Sequence, residues 1–251
     1  MKIILTNDDG IDAPGLDALE AALPLDCSHV IVAPRDPCSG FSHQVTTDRP
    51  LQLTPVADDR YHVDGTPVDC VRLALTEIMP DADFLLTGIN LGGNLGADIY
   101  ISGTVAAARE ATLMGCPAMA ISQYVGVGRK VHWDVSTRRA KPVIADLLAG
   151  NMPQHALWNI NLPHPPDDQE QVASVICSVD FLPLDIRYRS RADGYTYAGN
   201  YHQRPRTQGH DVDICFGGRI AVSAIPVRFQ TTPANGILTV ATGADHDYYF
   251  R

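Results

Sequence analysis

The sequence predicts an α/β fold: a mostly parallel sheet covered by helices, with β-rich arms toward the C-terminal end. Three observations carry this expectation. Short apolar runs alternate with segments of helical periodicity through the first half of the chain. The runs are almost continuously apolar, the pattern of strands buried on both faces of a parallel sheet. Beyond about residue 165 the pattern changes to β-prone stretches separated by polar loops containing Pro and Gly.

The elements follow in order. Residues 2–6 make a first strand, and Leu16, Leu19 and Leu23 then recur at helical spacing before Pro24. Residues 29–33 make a second strand, closed by Pro34. Residues 61–63 lead into Asp64-Gly65-Thr66-Pro67, where Thr66 fits an N-cap and Pro67 the first helical position. Val68, Val71, Leu75 and Ile78 form the apolar stripe of that helix. Residues 84–87 are a buried strand ending in Gly88-Ile89-Asn90, and residues 105–114 a helix that stops at Gly115. A strand at 118–122, a helix at 137–148 ending at Gly150, and a strand at 156–161 stopped by Pro163 complete the core. Right-handed crossovers place most strand carboxyl ends on one edge.

After the turn-forming run from His164 to Asp168, β-prone stretches lie at 172–179, 195–201, 219–227 and 237–241. They read as arms attached to the main sheet, of the kind that pack on a neighbouring subunit; a surface excursion is the alternative. The chain is expected to be a single domain spanning 1–251, with its α/β core in about 1–165.

Composition narrows the function classes. A formal net charge of −10 argues against a sequence-independent grip on a nucleic acid polymer. No apolar run approaches the roughly 20 residues of a membrane helix, and the N-terminus lacks the apolar segment of a signal peptide; the expected location is cytoplasmic. The six cysteines, Cys27, Cys38, Cys70, Cys116, Cys177 and Cys215, form no C-x-x-C pair. They read as reduced thiols and not as a disulfide framework or zinc site. The nine histidines show no H-E-x-x-H spacing.

Four clusters fall at strand ends or helix starts on the same edge, where α/β sheets bind ligands. Asn7-Asp8-Asp9-Gly10 ends the first strand. Adjacent carboxylates there call for a cation, although Asn and Asp also make turns by bonding their own backbone. Asp36 to His43 offers hydroxyls on a glycine-containing loop. Ser39 can act as a neutral oxygen ligand and Ser42 as a phosphate contact, or the loop is an ordinary turn. Ser42 is no hydrolase nucleophile, because Gly40-Phe41-Ser42-His43-Gln44 lacks the second glycine of G-x-S-x-G. Gly88 to Gly96 is a dense glycine loop containing Asn90 and Asn94, without a dinucleotide or P-loop fingerprint. Both amides can offer oxygen to a hard cation, and Asn90 is a candidate substrate contact; the alternative is a run of left-handed turns. Ser102-Gly103-Thr104 opens a helix, as a phosphate cradle or as a plain cap. Oxygen donors with few carboxylates suit one Mg²⁺ or Mn²⁺ ion, and a metal beside an anion-binding helix start points to phosphoryl chemistry.

These residues resemble the SurE family of stationary-phase survival phosphatases. The resemblance runs from Ile4 to Ile11 with Ala13-Pro14-Gly15, and through Val32-Ala33-Pro34, Ser39-Gly40, Ser42-His43 and Val63 to Val71. It is densest in Gly88-Ile89-Asn90, Gly92, Asn94-Leu95-Gly96, Asp98 and Ser102 to Ala108. Weaker echoes follow at Asn159 to Pro163, Asp211-Val212 and Val222-Ser223.

The resemblance implies a Rossmann-like fold. It also implies a divalent-metal-dependent nucleotidase acting on nucleoside 5′- and 3′-monophosphates, with exopolyphosphatase activity toward short chains. It assigns metal ligation to Asp8, Asp9, Ser39 and Asn94, phosphate contact to Ser102, Gly103 and Thr104, and self-association as a dimer or tetramer to the C-terminal arms. Asp8 or Asp9 would also orient or deprotonate the attacking water. The family pattern has Tyr just before Ser-Gly-Thr-Val, where this chain has Ile101 preceded by Tyr100; Arg109-Glu110-Ala111 and the short 123–134 loop also depart from it. A covalent aspartyl-phosphate route fits less well, since the aspartates are adjacent and not spaced Asp-x-Asp. A non-catalytic nucleotide-binding module and an NAD-dependent oxidoreductase are the rival classes.

Overall fold

The computed structural model describes residues 1–150, 152–164 and 172–228. β1 (Lys2–Thr6), β2 (Ser28–Pro34), β4 (Arg60–Val63), β5 (Phe84–Leu91), β6 (Ala118–Gln123) and β7 (Ala156–Leu162) run parallel in the middle of a nine-stranded sheet. β3 (Leu53–Ala57) joins one edge antiparallel to β4. At the other side β11 (Ile220–Pro226) pairs antiparallel with β7, and β8 (Ser174–Ile176) pairs parallel with β11. The order is β3-β4-β2-β1-β5-β6-β7-β11-β8, a mostly parallel α/β sheet as expected. A separate hairpin joins β9 (Tyr188–Arg191) to β10 (Gly194–Tyr197).

Alternation along β1 divides the core in two. Ile3 and Leu5 pack on one face against Leu16 and Leu19 of α1 (Pro14–Ala21) and Val143 and Ile144 of α4 (Trp133–Ala149). Ile4 packs on the other face with Val71 of α2 (Pro67–Leu73) and Ala107 and Ala111 of α3 (Gly103–Leu113). Covering both faces is what permits the central strands to be apolar throughout. α2 begins as its sequence requires. The Thr66 hydroxyl accepts from Asp69 N–H at 3.2 Å, Asp69 Oδ2 accepts from Thr66 N–H at 2.9 Å, and Pro67 takes the first turn. The stripe to Ile78 continues as a π-helical turn, Ala74–Ile78.

Several features depart from the sequence expectation, among them the unforeseen strands β3 and β9. β5 runs on through Gly88-Ile89-Asn90 to Leu91, so the strand carries its polar end farther than residue 87. The stretch expected at 219–227 as an arm attached to the main sheet is a full strand of it, β11, buried over most of its length. A short helix, α5 (Asp211–Phe216), was not foreseen; with Leu95, Tyr124 and Ala221 its Val212, Ile214 and Cys215 form a third apolar cluster. The expected stretch at 237–241 lies outside the described residues. Among the described residues no helix is long and apolar enough to cross a membrane.

Candidate active site

The end of β1 turns inward. Asn7 donates from Nδ2 to the Gly10 carbonyl at 2.8 Å, and Gly10 takes the positive φ of 99° that closes this turn. The turn reading holds, and the turn carries Asp8, which is only 4 % exposed. The Asp8 carbonyl accepts from Cys38 N–H at 2.7 Å, which ties the Ser39 loop to the end of β1.

A cavity of about 390 Å³ opens beyond the strand ends. Asp8, Ser39, Asn90, Asn94 and Ser102 all border it. The other carboxylate, Asp9, accepts from Leu91 N–H at 3.0 Å and borders a neighbouring cavity of about 610 Å³ with Lys130 and Trp133. Leu91 borders both cavities.

Ser102 combines both of its expected roles. Its Oγ accepts from Val105 N–H at 3.1 Å as the N-cap of α3, and the residue lines the cavity. Gly103 and Thr104 are not on the cavity wall; they support Asp8. The Thr104 hydroxyl and backbone N–H both donate to the Asp8 carboxylate. A Cβ at Gly103 would lie 2.9 Å from Asp8 Cβ and Oδ2, so glycine is what lets the helix start approach this carboxylate. The partial positive charge of the helix N-terminus therefore acts on Asp8 first. Ser42 does not reach the cavity: its hydroxyl donates to the Tyr100 carbonyl at 2.6 Å. Its loop is further held by His43, whose Nε2 is 2.8 Å from Glu110 Oε2, and Glu110 also accepts from Arg72 Nε.

Asn94 is fixed on several sides. Its N–H donates to Asn161 Oδ1 at 2.8 Å, and its carbonyl accepts from Asn159 Nδ2 at 2.8 Å and Asn161 Nδ2 at 3.0 Å. Its own Nδ2 donates to Ser122 Oγ at 2.8 Å, which leaves Oδ1 as the group it can offer a ligand. Asn90 spends its Nδ2 on the Gly92 carbonyl at 2.9 Å, with the same consequence. The sequence alone gives Asn159, Asn161 and Asp98 no role and does not mark Tyr201 and Arg204, which also border the cavity. Only their placement reveals them, since each acts on a loop about a hundred residues away.

Burial pushes the Asp8 carboxyl up to about 6, the Thr104 hydrogen bond opposes this, and the neighbouring Asp9 charge adds to it. None of these neighbours is a cationic side chain, so ionised Asp8 is offset only by hydrogen bonds and the helix N-terminus. Ser39 and Asn94 add neutral oxygen donors on the same cavity. Among the described residues no group of three or more His, Cys, Asp or Glu could hold a metal ion, so an ion here would depend on neutral oxygen ligands beside the carboxylate. The donor set fits a hard divalent cation.

Comparison with known proteins gives the arrangement a family. The family model for the survival protein SurE matches residues 3–179. A Nostoc sp. relative with a provisional 5′-nucleotidase name is 46% identical over 227 residues, covering 90% of this chain and 100% of the relative. The 5′-nucleotidase SurE of Methylocella silvestris is 36% identical over 242 residues, covering 93% and 96%. The crystal structure of the SurE protein from Aquifex aeolicus superimposes with a TM-score of 0.81 at 28% identity, covering 92% of this chain and 95% of that one. By sequence and by fold, this chain belongs to the SurE family.

Proposed function

We propose that this chain is a divalent-metal-dependent phosphatase that hydrolyses nucleoside monophosphates to nucleoside and phosphate. The 5′-nucleotidase names of its relatives support the substrate class. The observation that carries the reading is Asp8, a buried carboxylate without a cationic neighbour, on a cavity with Ser39, Asn94 and Ser102.

Asp8, Ser39 and Asn94, which share a cavity, would hold one Mg²⁺ or Mn²⁺ ion, and Asp9, whose Oδ2 accepts from Leu91 N–H beside the neighbouring cavity, would join them through its other carboxylate oxygen. Bound there, the ion supplies Lewis-acid stabilisation of the phosphate and lowers the pKa of water. The protein's own groups do the rest. Ser102 hydrogen-bonds an equatorial phosphate oxygen, where transition-state charge is spread. Asn90, at the end of β5 on the same cavity, steadies the substrate. Gly103 and Thr104 act through Asp8, holding its carboxylate in one orientation. The Asp8 or Asp9 carboxylate accepts a hydrogen bond from the attacking water and aligns it for in-line displacement.

Activity on 3′-monophosphates and on short polyphosphate belongs to the same proposal, as does assembly into a dimer or tetramer in the cytoplasm. The exposed Phe181, Ile186, Tyr188 and Tyr195 on and beside the β9–β10 hairpin support self-association. The test is phosphate release from a panel of 5′- and 3′-monophosphates and tripolyphosphate. Release from nucleotides in wild type, lost in Asp9→Asn, is expected; nucleotide binding without release would make the chain a binding module instead.

A further inference from the structure

The loop carrying Asn94 is gripped from two directions, and the second grip comes from a part of the chain beyond the region matched by the family model. Asn159, Asn161 and Ser122 hold Asn94 from the sheet side. From the far side, Arg204 Nη2 donates to the Leu95 carbonyl at 2.8 Å, and Arg204 Nη1 to Asp98 Oδ2 at 2.6 Å. Tyr201 adds a hydroxyl bond to Asp98 Oδ2 at 3.1 Å, and its ring lies under the guanidinium, 5.1 Å from Cζ to centroid.

We propose that Arg204 is a positioning residue for Asn94, holding the Leu95–Asp98 turn so that the Asn94 amide stays directed at the metal site; this rests on the metal-dependent reading above. Three facts separate this from an ordinary structural ion pair. Arg204 bonds the carbonyl of Leu95, so its loss frees the Leu95–Gly96 peptide, the next one along the chain from the ligand's own. Gly96 has a positive φ of 54°, and a Cβ there would lie 2.6 Å from Arg204 Nη2. The turn is thus shaped to pass beneath the guanidinium. Arg204 and Asp98 also border the same cavity as Asp8, Ser39 and Asn94. A planar guanidinium can span the two acceptors at once, which a lysine ammonium cannot reproduce.

The experiment is Mn²⁺ binding to metal-free protein, by calorimetry, for wild type, Arg204→Gln, Arg204→Lys and Tyr201→Phe, with thermal melts alongside. Arg204→Gln is expected to fold and to bind Mn²⁺ about 10- to 100-fold more weakly, the usual effect of losing a group that orients a ligand. Its kcat should recover at saturating Mn²⁺ while its KM for nucleotide stays near wild type, a split that general destabilisation would not give. Arg204→Lys should not restore the affinity. Folded Arg204→Gln with Mn²⁺ affinity within twofold of wild type overturns the proposal. Where Arg204→Gln fails to fold, Tyr201→Phe decides: weaker Mn²⁺ binding with an unchanged melt supports the proposal, and unchanged binding overturns it. Wild type that binds no Mn²⁺ overturns the metal-dependent reading itself, and this one with it.

Discussion

At the residue scale, Asp8 sets stability against function. Its carboxyl is raised from 3.8 to about 6 chiefly by burial. The folded value lies above the unfolded one, so the stabilisation from binding this proton is complete below the unfolded value. It is lost as pH rises through the folded value. Metal-free protein should therefore lose up to about 3 kcal/mol between pH 4 and 7 from this group alone. Asp8→Asn keeps the shape and the acceptor for Thr104 but carries no charge. In EDTA at pH 7.5 it should melt higher than wild type, with the difference vanishing near pH 4. Its nucleotidase activity should fall by more than the about 10- to 100-fold of an outer-shell change. A variant that melts lower at both pH values and retains activity contradicts the role given to Asp8.

At the scale of elements, helix α3 does two jobs. Its first turn supports Asp8, and one face of it ties down the Ser39 loop. Glu110, buried on that helix, is shared by His43 and Arg72. Glu110→Ala would leave His43 without its partner and loosen the loop that carries Ser39. The expected cost is about 1 to 3 kcal/mol in urea denaturation, discounted for the half-exposed Arg72. Weaker Mn²⁺ affinity should accompany it. Unfolding and Mn²⁺ titrations matching wild type would remove this role.

Much of this level was legible in the sequence, for local reasons. Thr66-Pro67 and Ser102 announce helix starts because capping depends on neighbours three residues away. The Asn7 to Gly10 turn is visible because its hydrogen bond spans three residues. α5 was invisible because its six residues give too little periodicity to register. The work of Asp98 was invisible because its partner Arg204 lies 106 residues away. Gly103 looked like part of a phosphate cradle. Only its approach to Asp8 reveals that the helix start is spent on a carboxylate.

At the scale of the whole molecule, the C-terminal half completes the sheet and the site together. β11 places Ile220, Val222 and Ile225 in the two main apolar clusters and covers the open ladder of β7. Each of these side chains is worth about 1.5 to 3 kcal/mol of burial, and a domain is stable by only about 5 to 15 kcal/mol. Truncation after Gly218 should therefore abolish cooperative unfolding and lead to aggregation through the exposed β7 edge. A soluble truncated protein with a sigmoidal melt would contradict this dependence. The segment from Tyr201 to Asp211 meanwhile reaches back to the Asn94 loop, with Gly96 N–H donating to Asp211 Oδ2 at 2.8 Å. The segment beyond the region matched by the family model thus shapes the loop that carries Asn94.

The proposed function requires a divalent ion at the Asp8 cavity for phosphate release. The most direct measurement is initial-rate phosphate release from a nucleoside 5′-monophosphate by protein stripped with EDTA, then titrated with Mn²⁺ or Mg²⁺. Near-zero release is expected after stripping, with full, saturable recovery on adding metal and no recovery in Asp8→Asn. Undiminished release by thoroughly stripped wild type, or full recovery in Asp8→Asn, would contradict it.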